Sequence, residues 1–159
     1  MKLKNNKSGF TLLEIIIVII IVGVLASLAL PRFFQTVEFA RSTEAMNILS
    51  SAKRAADRCS IMGGAGANYT NCVTFPALAM DQPGTIPGTH WCYDLSGAGG
   101  PPIATWTLIA ERNAADNGDG AACNADGTGT GAGSTITMTL TTATGVVTRA
   151  GTGPYSGIQ

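Results

Sequence analysis

Glu14 is the one ionisable side chain between Phe10 and Leu30, a run otherwise built from Ile, Val, Leu, Phe, Gly, Ala, Ser and Thr. An acid in such company is costly to desolvate, so its expected role is functional, with a positive partner to be named. The run contains no Lys, Arg or His, which leaves a chain terminus, a lipid or another subunit to supply that charge. The four cysteines, Cys59, Cys72, Cys92 and Cys123, all follow this run. Four cysteines permit three pairings; Cys59 with Cys72 and Cys92 with Cys123 is favoured because each bond closes a loop between candidate elements. There is no C-x-x-C, and His90 is the only histidine, so a zinc site is not expected. Asp116-Asn117-Gly118-Asp119-Gly120, with Asp126 behind it, offers oxygen ligands for a hard cation such as calcium. It lacks the regular acid spacing and terminal Glu of a calcium loop, position twelve being Gly127, so it reads as a turn-forming loop with no metal. Asn68-Tyr69-Thr70 has the N-x-[ST] form, a pattern common by chance. His90 has no companions in a recognisable catalytic order, no cofactor motif is present, and the chain does not read as an enzyme.

The element carrying Glu14 is long and apolar. Fifteen of its 21 residues are Ile, Val, Leu or Phe, and as a helix it would reach about 31 Å, the thickness of a bilayer's hydrocarbon core. Each of those side chains favours insertion by about 0.3–0.6 kcal/mol, together enough to carry one acid into a membrane. Lys2, Lys4 and Lys7 precede the run and hold the amino terminus in the cytoplasm, leaving the rest on the exported side, where disulfides persist. An ordinary secretory signal, cut near Ala26-Ser27-Leu28-Ala29, would have a shorter apolar region. A plain single-pass anchor would not need Glu14.

Gly9-Phe10-Thr11-Leu12-Leu13-Glu14, followed by the apolar run to Pro31, resembles the amino-terminal signature of type IV prepilins and the related pseudopilins of type II secretion. The resemblance implies removal of residues 1–9 by a prepilin peptidase between Gly9 and Phe10, N-methylation of Phe10, and pairing of Glu14 with the terminal amine of a neighbouring subunit. It further implies that the Gly23 to Pro31 stretch can extend when the filament forms. On this resemblance the chain is an inner-membrane precursor that the pilus assembly machinery packs into a homo-oligomeric, extracellular helical fibre. A type II secretion pseudopilin is the alternative within the family, and a membrane-anchored binding domain that never polymerises is the alternative outside it.

Without the leader lysines the chain holds seven basic against ten acidic residues, and from Ser60 onward two (Arg112, Arg149) against six. Nucleic-acid binding, which rests on neutralising phosphates, is disfavoured. Residues 10–30 are expected as the membrane and filament-core helix and 31–60 as its amphipathic continuation, with a kink near Pro31. Residues 61–159 are expected as a globular head. Val37, Ala45, Ile48, Leu49, Ala52, Ala55, Ala56 and Cys59 form a stripe of mostly small residues that can dock on a sheet. Arg41, Glu44, Lys53, Arg54, Asp57 and Arg58 read as a solvated face. Gly63-Gly64-Ala65-Gly66 should end the helix. Strands are expected at 91–95, 105–111, 134–142 and 146–149, with 113–133 as an exposed loop tied down only through Cys123. The fold class is α+β, a long helix packed on a small antiparallel sheet in the pilin manner.

Overall fold

The computed structural model describes residues 10–63, 68–100, 102–116 and 121–158, Asp116 by its backbone alone. The chain divides into two compact units, Met1–Val37 and Glu38–Gln159. One helix, α1 (Leu12–Met62), runs through both and passes Pro31 as helix. Its end comes where the glycines require it: Met62 is the last helical residue and the Gly63 N–H closes onto the Cys59 carbonyl at 3.0 Å. Gly64, Ala65 and Gly66 lie outside the described residues.

In the second unit four strands, β1 (Trp91–Ala98), β2 (Thr105–Arg112), β3 (Thr135–Thr141) and β4 (Val146–Gly151), form one antiparallel sheet in sequence order. Each stands where β-branched and aromatic residues accumulate, and three extend beyond the expected ends, β1 to Ala98, β2 to Arg112 and β4 to Gly151. The period-two pattern of β3 sets its faces: Ile136, Met138 and Leu140 are buried and the alternating threonines are partly exposed. Gly145 closes the β3–β4 hairpin at φ +70°, a conformation costly for a residue with a Cβ.

The core lies between α1 and the inner sheet face. Ala45, Leu49, Ala52, Ala55 and Ala56 meet Trp91, Tyr93, Trp106, Leu108, Ile136, Met138 and Leu140. The small helical residues leave the volume of this core to large sheet side chains. Both buried indole N–H groups are satisfied, Trp91 donating to the Arg41 carbonyl at 3.0 Å and Trp106 to that of Cys72 at 2.9 Å. Ser42 and Ser60 are buried in the same stripe, each hydroxyl returned to a carbonyl of its own helix, Phe39 and Asp57.

The helix face expected to be solvated is largely engaged. Glu38, Arg41 and Glu44 follow one another at three-residue spacing toward the base of the sheet. Glu38 accepts from Arg41 at 2.7 Å, from Arg112 Nε at 3.1 Å and from the Tyr155 hydroxyl at 2.6 Å. Arg112 is buried, lies 5.5 Å from the Trp91 ring centroid and donates to the His90 carbonyl. Glu44 bonds His90 Nδ1 at 2.7 Å and accepts from Thr89. Asp57 joins Lys53 to the Tyr69 hydroxyl. Only Arg54 and Arg58 of that set are exposed.

Cys59 is bonded to Cys72 and Cys92 to Cys123, the two pairs that the loop-closure reasoning selects. With separations of 13 and 31 residues, the chain-entropy model gives about 3 and 4 kcal/mol respectively. The loop after Cys123 is held by more than its disulfide, which corrects the expectation of a merely exposed segment. The Glu111 carboxylate, 2% exposed, accepts from the backbone N–H of Gly131 at 2.7 Å and of Ala132 and Gly133 at 2.9 Å, and from the Thr130 hydroxyl. Asp94 accepts from Gly129 N–H at 2.9 Å, and the Gly127 carbonyl accepts from Tyr93 N–H on the sheet edge. A Cβ on Gly129 would stand 2.1 Å from a Glu111 oxygen, so glycine is required for the backbone to approach the acids. Burial raises the Glu111 pKa, but the donors from Gly131, Gly133, Ala132 and Thr130 outweigh it and hold the group below the ordinary 4.5. Glu38 is likewise lowered, burial being outweighed by Tyr155, Arg112 and Arg41. Burial, with Glu111 and Asp126 nearby, raises Asp94 despite the Gly129 bond.

The lowered acids contribute stability that is complete above pH 4.5, the unperturbed glutamate value, and lost as pH falls through their native pKa values. Asp94, raised, acts with the opposite sign, its contribution falling as pH rises through its native value. Glu111→Gln turns an amide toward donors that need an acceptor. It should cost about 1–3 kcal/mol and flatten the acid limb of the stability curve in denaturant titrations from neutral pH downward; an unchanged limb would remove Glu111 as the anchor. The Tyr93 hydroxyl is buried with no partner among the described residues, so Tyr93→Phe should be neutral or stabilising by up to about 1 kcal/mol, read from the urea midpoint.

Candidate assembly site

The helix start satisfies its own end. Thr11, immediately before α1, accepts the Glu14 N–H on its hydroxyl at 3.2 Å, and Glu14 Oε2 accepts the Thr11 N–H at 2.8 Å and the Thr11 hydroxyl at 3.0 Å. This reciprocal pair is a capping box, which meets two backbone donors that a helix otherwise leaves open. Thr11 was legible in the sequence, since Thr-x-x-Glu ahead of an apolar run is the signature of such a start. Only Oε2 is engaged; no hydrogen bond to Oε1 occurs among the described residues. Phe10, 85% exposed, stands one residue before the box, while Gly9 lies outside the described residues.

From this capped end the helix presents apolar surface on every side. Residues 10–36 are all exposed, including Ile15 to Val22 without interruption, and the most apolar window of the helix is 0% buried. Helices that are apolar all round are buried in a membrane or in other protein. Gly23 has no atom within 4 Å of where a Cβ would stand, and Pro31 has no N–H for the carbonyl four residues earlier. Both are therefore points where this exposed helix is intrinsically weaker.

Of the acidic loop the structure describes the side chain of Asp126 and the backbone of Asp116. Asp126 Oδ1 accepts from Thr128 N–H at 3.1 Å and from its hydroxyl at 2.7 Å, closing a local turn. Asp94 and Glu111 serve backbone donors, Asp119 lies outside the described residues, and of Asp116 only the backbone is described. Among the described residues no group of three or more His, Cys, Asp or Glu side chains could hold a metal. The disulfides close at Cα separations of 6.0 and 5.4 Å, leaving no free thiol among the described residues.

Residues 4–30 match the family described as the prokaryotic N-terminal methylation motif. The chain is 37% identical to fimbrial protein Q of Moraxella bovis over 71 residues, 42% of this chain and 45% of that protein. It is 40% identical to the type IV major alpha-pilin of the same organism over 53 residues, 33% of each chain. It thus spans less than half of these fimbrial relatives. The match to the type II secretion system core protein G of Escherichia coli (strain K12) is longer, 30% identical over 124 residues, 62% of this chain and 86% of that protein. No solved structure matches the chain. A capped, solvent-exposed apolar helix leading into a small disulfide-bonded antiparallel sheet, matched over most of core protein G, places the chain in the family of type IV pilins and type II secretion pseudopilins.

Proposed function

We propose that the chain is the structural subunit of a type IV pilus and carries no enzymatic activity. Its precursor spans the inner membrane through residues 10–30. A prepilin peptidase removes residues 1–9 between Gly9 and Phe10, and Phe10 becomes the N-methylated terminus. The assembly machinery then moves the helix from lipid into the core of an extracellular homopolymer, with 31–60 continuing the helix and 61–159 forming the head. Gly23 and Pro31 bound the stretch that can extend on packing. The observation that carries this reading is the exposed apolar half of α1, headed by a carboxylate with one oxygen committed to its own cap. The other oxygen can receive the Phe10 amine of a neighbouring subunit, an amine that would otherwise enter an apolar core unpaired.

A pseudopilin of type II secretion is the second reading, favoured by the 86% coverage of core protein G. The family resemblance implies that major pseudopilins typically lack cysteine pairs, so the two disulfides, with the threonine-rich carboxy-terminal part, favour the pilin.

Glu14→Ala should be inserted and cleaved as wild type but be strongly depleted from sheared surface fibres relative to the membrane pool. Thr11→Val removes the capping hydroxyl and keeps the acid, so its fibres should approach wild-type amounts. Equal depletion in both variants would make the cap, and not the charge pair, the assembly determinant. Normal assembly of Glu14→Ala would reject the pairing altogether. Intact-mass analysis of the fibre subunit tests processing; a mass retaining residues 1–9 would reject cleavage after Gly9.

A further inference from the structure

Between Glu14 and Glu38 the chain holds one charged residue, Arg32. It stands just past Leu30 and is followed at once by Phe33 and Phe34, and all three are exposed residues of α1. The two rings meet edge to face with centroids 6.3 Å apart and remain 63% and 60% exposed, so their contact with each other does not bury them. The Arg32 guanidinium has no hydrogen bond or ion pair among the described residues. The next acid along the chain, Glu38, serves Arg41, Arg112 and Tyr155 instead.

Counting along the helix gives these side chains a place. With the apolar run to Leu30 filling about 30 Å of hydrocarbon, a headgroup layer of about 5–7 Å follows. At about 1.5 Å per residue, Arg32 lies about 3 Å into that layer, Phe34 about 6 Å, and Glu38 about 12 Å, beyond it. The layer therefore meets one cation and two aromatic rings, with no acid of this chain to neutralise the cation. Helical side chains lean toward the amino-terminal end, here toward the hydrocarbon, so the rings reach the acyl boundary while the longer arginine turns its charge back to the phosphates.

We propose that Arg32, Phe33 and Phe34 form a lipid-binding collar that takes an anionic phospholipid headgroup of the leaflet on the exported side. The proposal rests on the membrane-spanning part of the reading above and does not depend on the fibre. A guanidinium presents paired donors to phosphate oxygens. A zwitterionic headgroup brings its own ammonium to compete for that phosphate, and an anionic one such as phosphatidylglycerol does not. The collar also fixes depth. Sinking by one turn, about 5.4 Å, puts Arg32 in hydrocarbon, where a charge is costly; rising by one turn puts both rings in water.

The full chain, leader included, reconstituted in phosphatidylcholine vesicles tests this with spin-labelled lipids. Labelled phosphatidylglycerol should associate with the wild-type chain more strongly than labelled phosphatidylcholine. Arg32→Gln should lose the part of that preference that Arg32 supplies, about fivefold at the contacted site for one basic residue at an anionic surface, and Arg32→Lys should keep it. Lys2, Lys4 and Lys7 are common to all three chains, so the difference belongs to Arg32. Phe33→Trp reports depth: its emission should be quenched more by lipids brominated near the carbonyl end of the acyl chain than near the methyl end, above a background from Trp91 and Trp106, which are buried in the head. An unchanged phosphatidylglycerol preference in Arg32→Gln, or a Trp at this position that neither lipid quenches, would overturn the proposal. If that variant with unchanged preference also makes less fibre, the occupant is another copy of the chain. A chain that alkaline carbonate strips from the vesicles is not inserted, and rejects the membrane reading and this site with it; an inserted chain without the lipid preference rejects the site alone.

Discussion

From Phe10 to Leu30 the chain arrays fifteen large apolar side chains around a helix, and residues 10–36 are all exposed. At about 25 cal/mol per Å² of apolar surface, no chain leaves such an element in water. It must find lipid or other protein. The same helix, continued past Val37, changes character: alanines and serines replace leucines and isoleucines, and one face becomes buried in a core shared with the sheet. Two environments are thus written into one continuous element by residue size and polarity. Large apolar side chains all round call for an apolar surrounding, while a stripe of small ones calls for a flat protein surface.

The head depends on a second constraint, the scarcity of large apolar residues beyond the sheet. Between Asn113 and Gly133 the chain has little to bury, being mostly Gly, Ala, Asp, Asn and Thr. Its order comes from polar chemistry instead. Two acids on the strands, Asp94 and Glu111, accept from backbone N–H groups of this segment, with Gly129 too close to both acids for a Cβ, and the Cys92–Cys123 bond fixes the start of the segment. Glycine here permits dense hydrogen bonding to a carboxylate, in the way nests of backbone amides hold anions.

Much of this was legible before the structure, and the unread parts share a cause. The helix, its stripe, the period-two strand at Thr135–Thr141 and both disulfide pairs follow from pattern and loop closure. The partners of Glu38, Glu44, Asp94, Glu111 and Arg112 do not, because a charged residue reads as solvated until the tertiary fold supplies its counterpart. Arg112 meets Glu38 across 74 positions, a distance at which no spacing rule operates. Ser42 and Ser60 were passed over for the opposite reason. Their hydroxyls are satisfied within one turn of helix, so they bury as readily as alanine.

Glu14 joins the two scales. As a capping residue it belongs to its own helix, and its hydrogen bonds to Thr11 need no second chain. Capping also fixes where the carboxylate stands, at the positive end of the helix dipole and beside the residue that would become the terminus. An acid left free on an exposed helix would sample many rotamers and lose entropy on pairing. An acid already held by its cap has been ordered before any neighbour arrives. Under the proposed pairing, the local motif that starts the helix would prepare the intermolecular one, the two functions occupying different oxygens of one carboxylate.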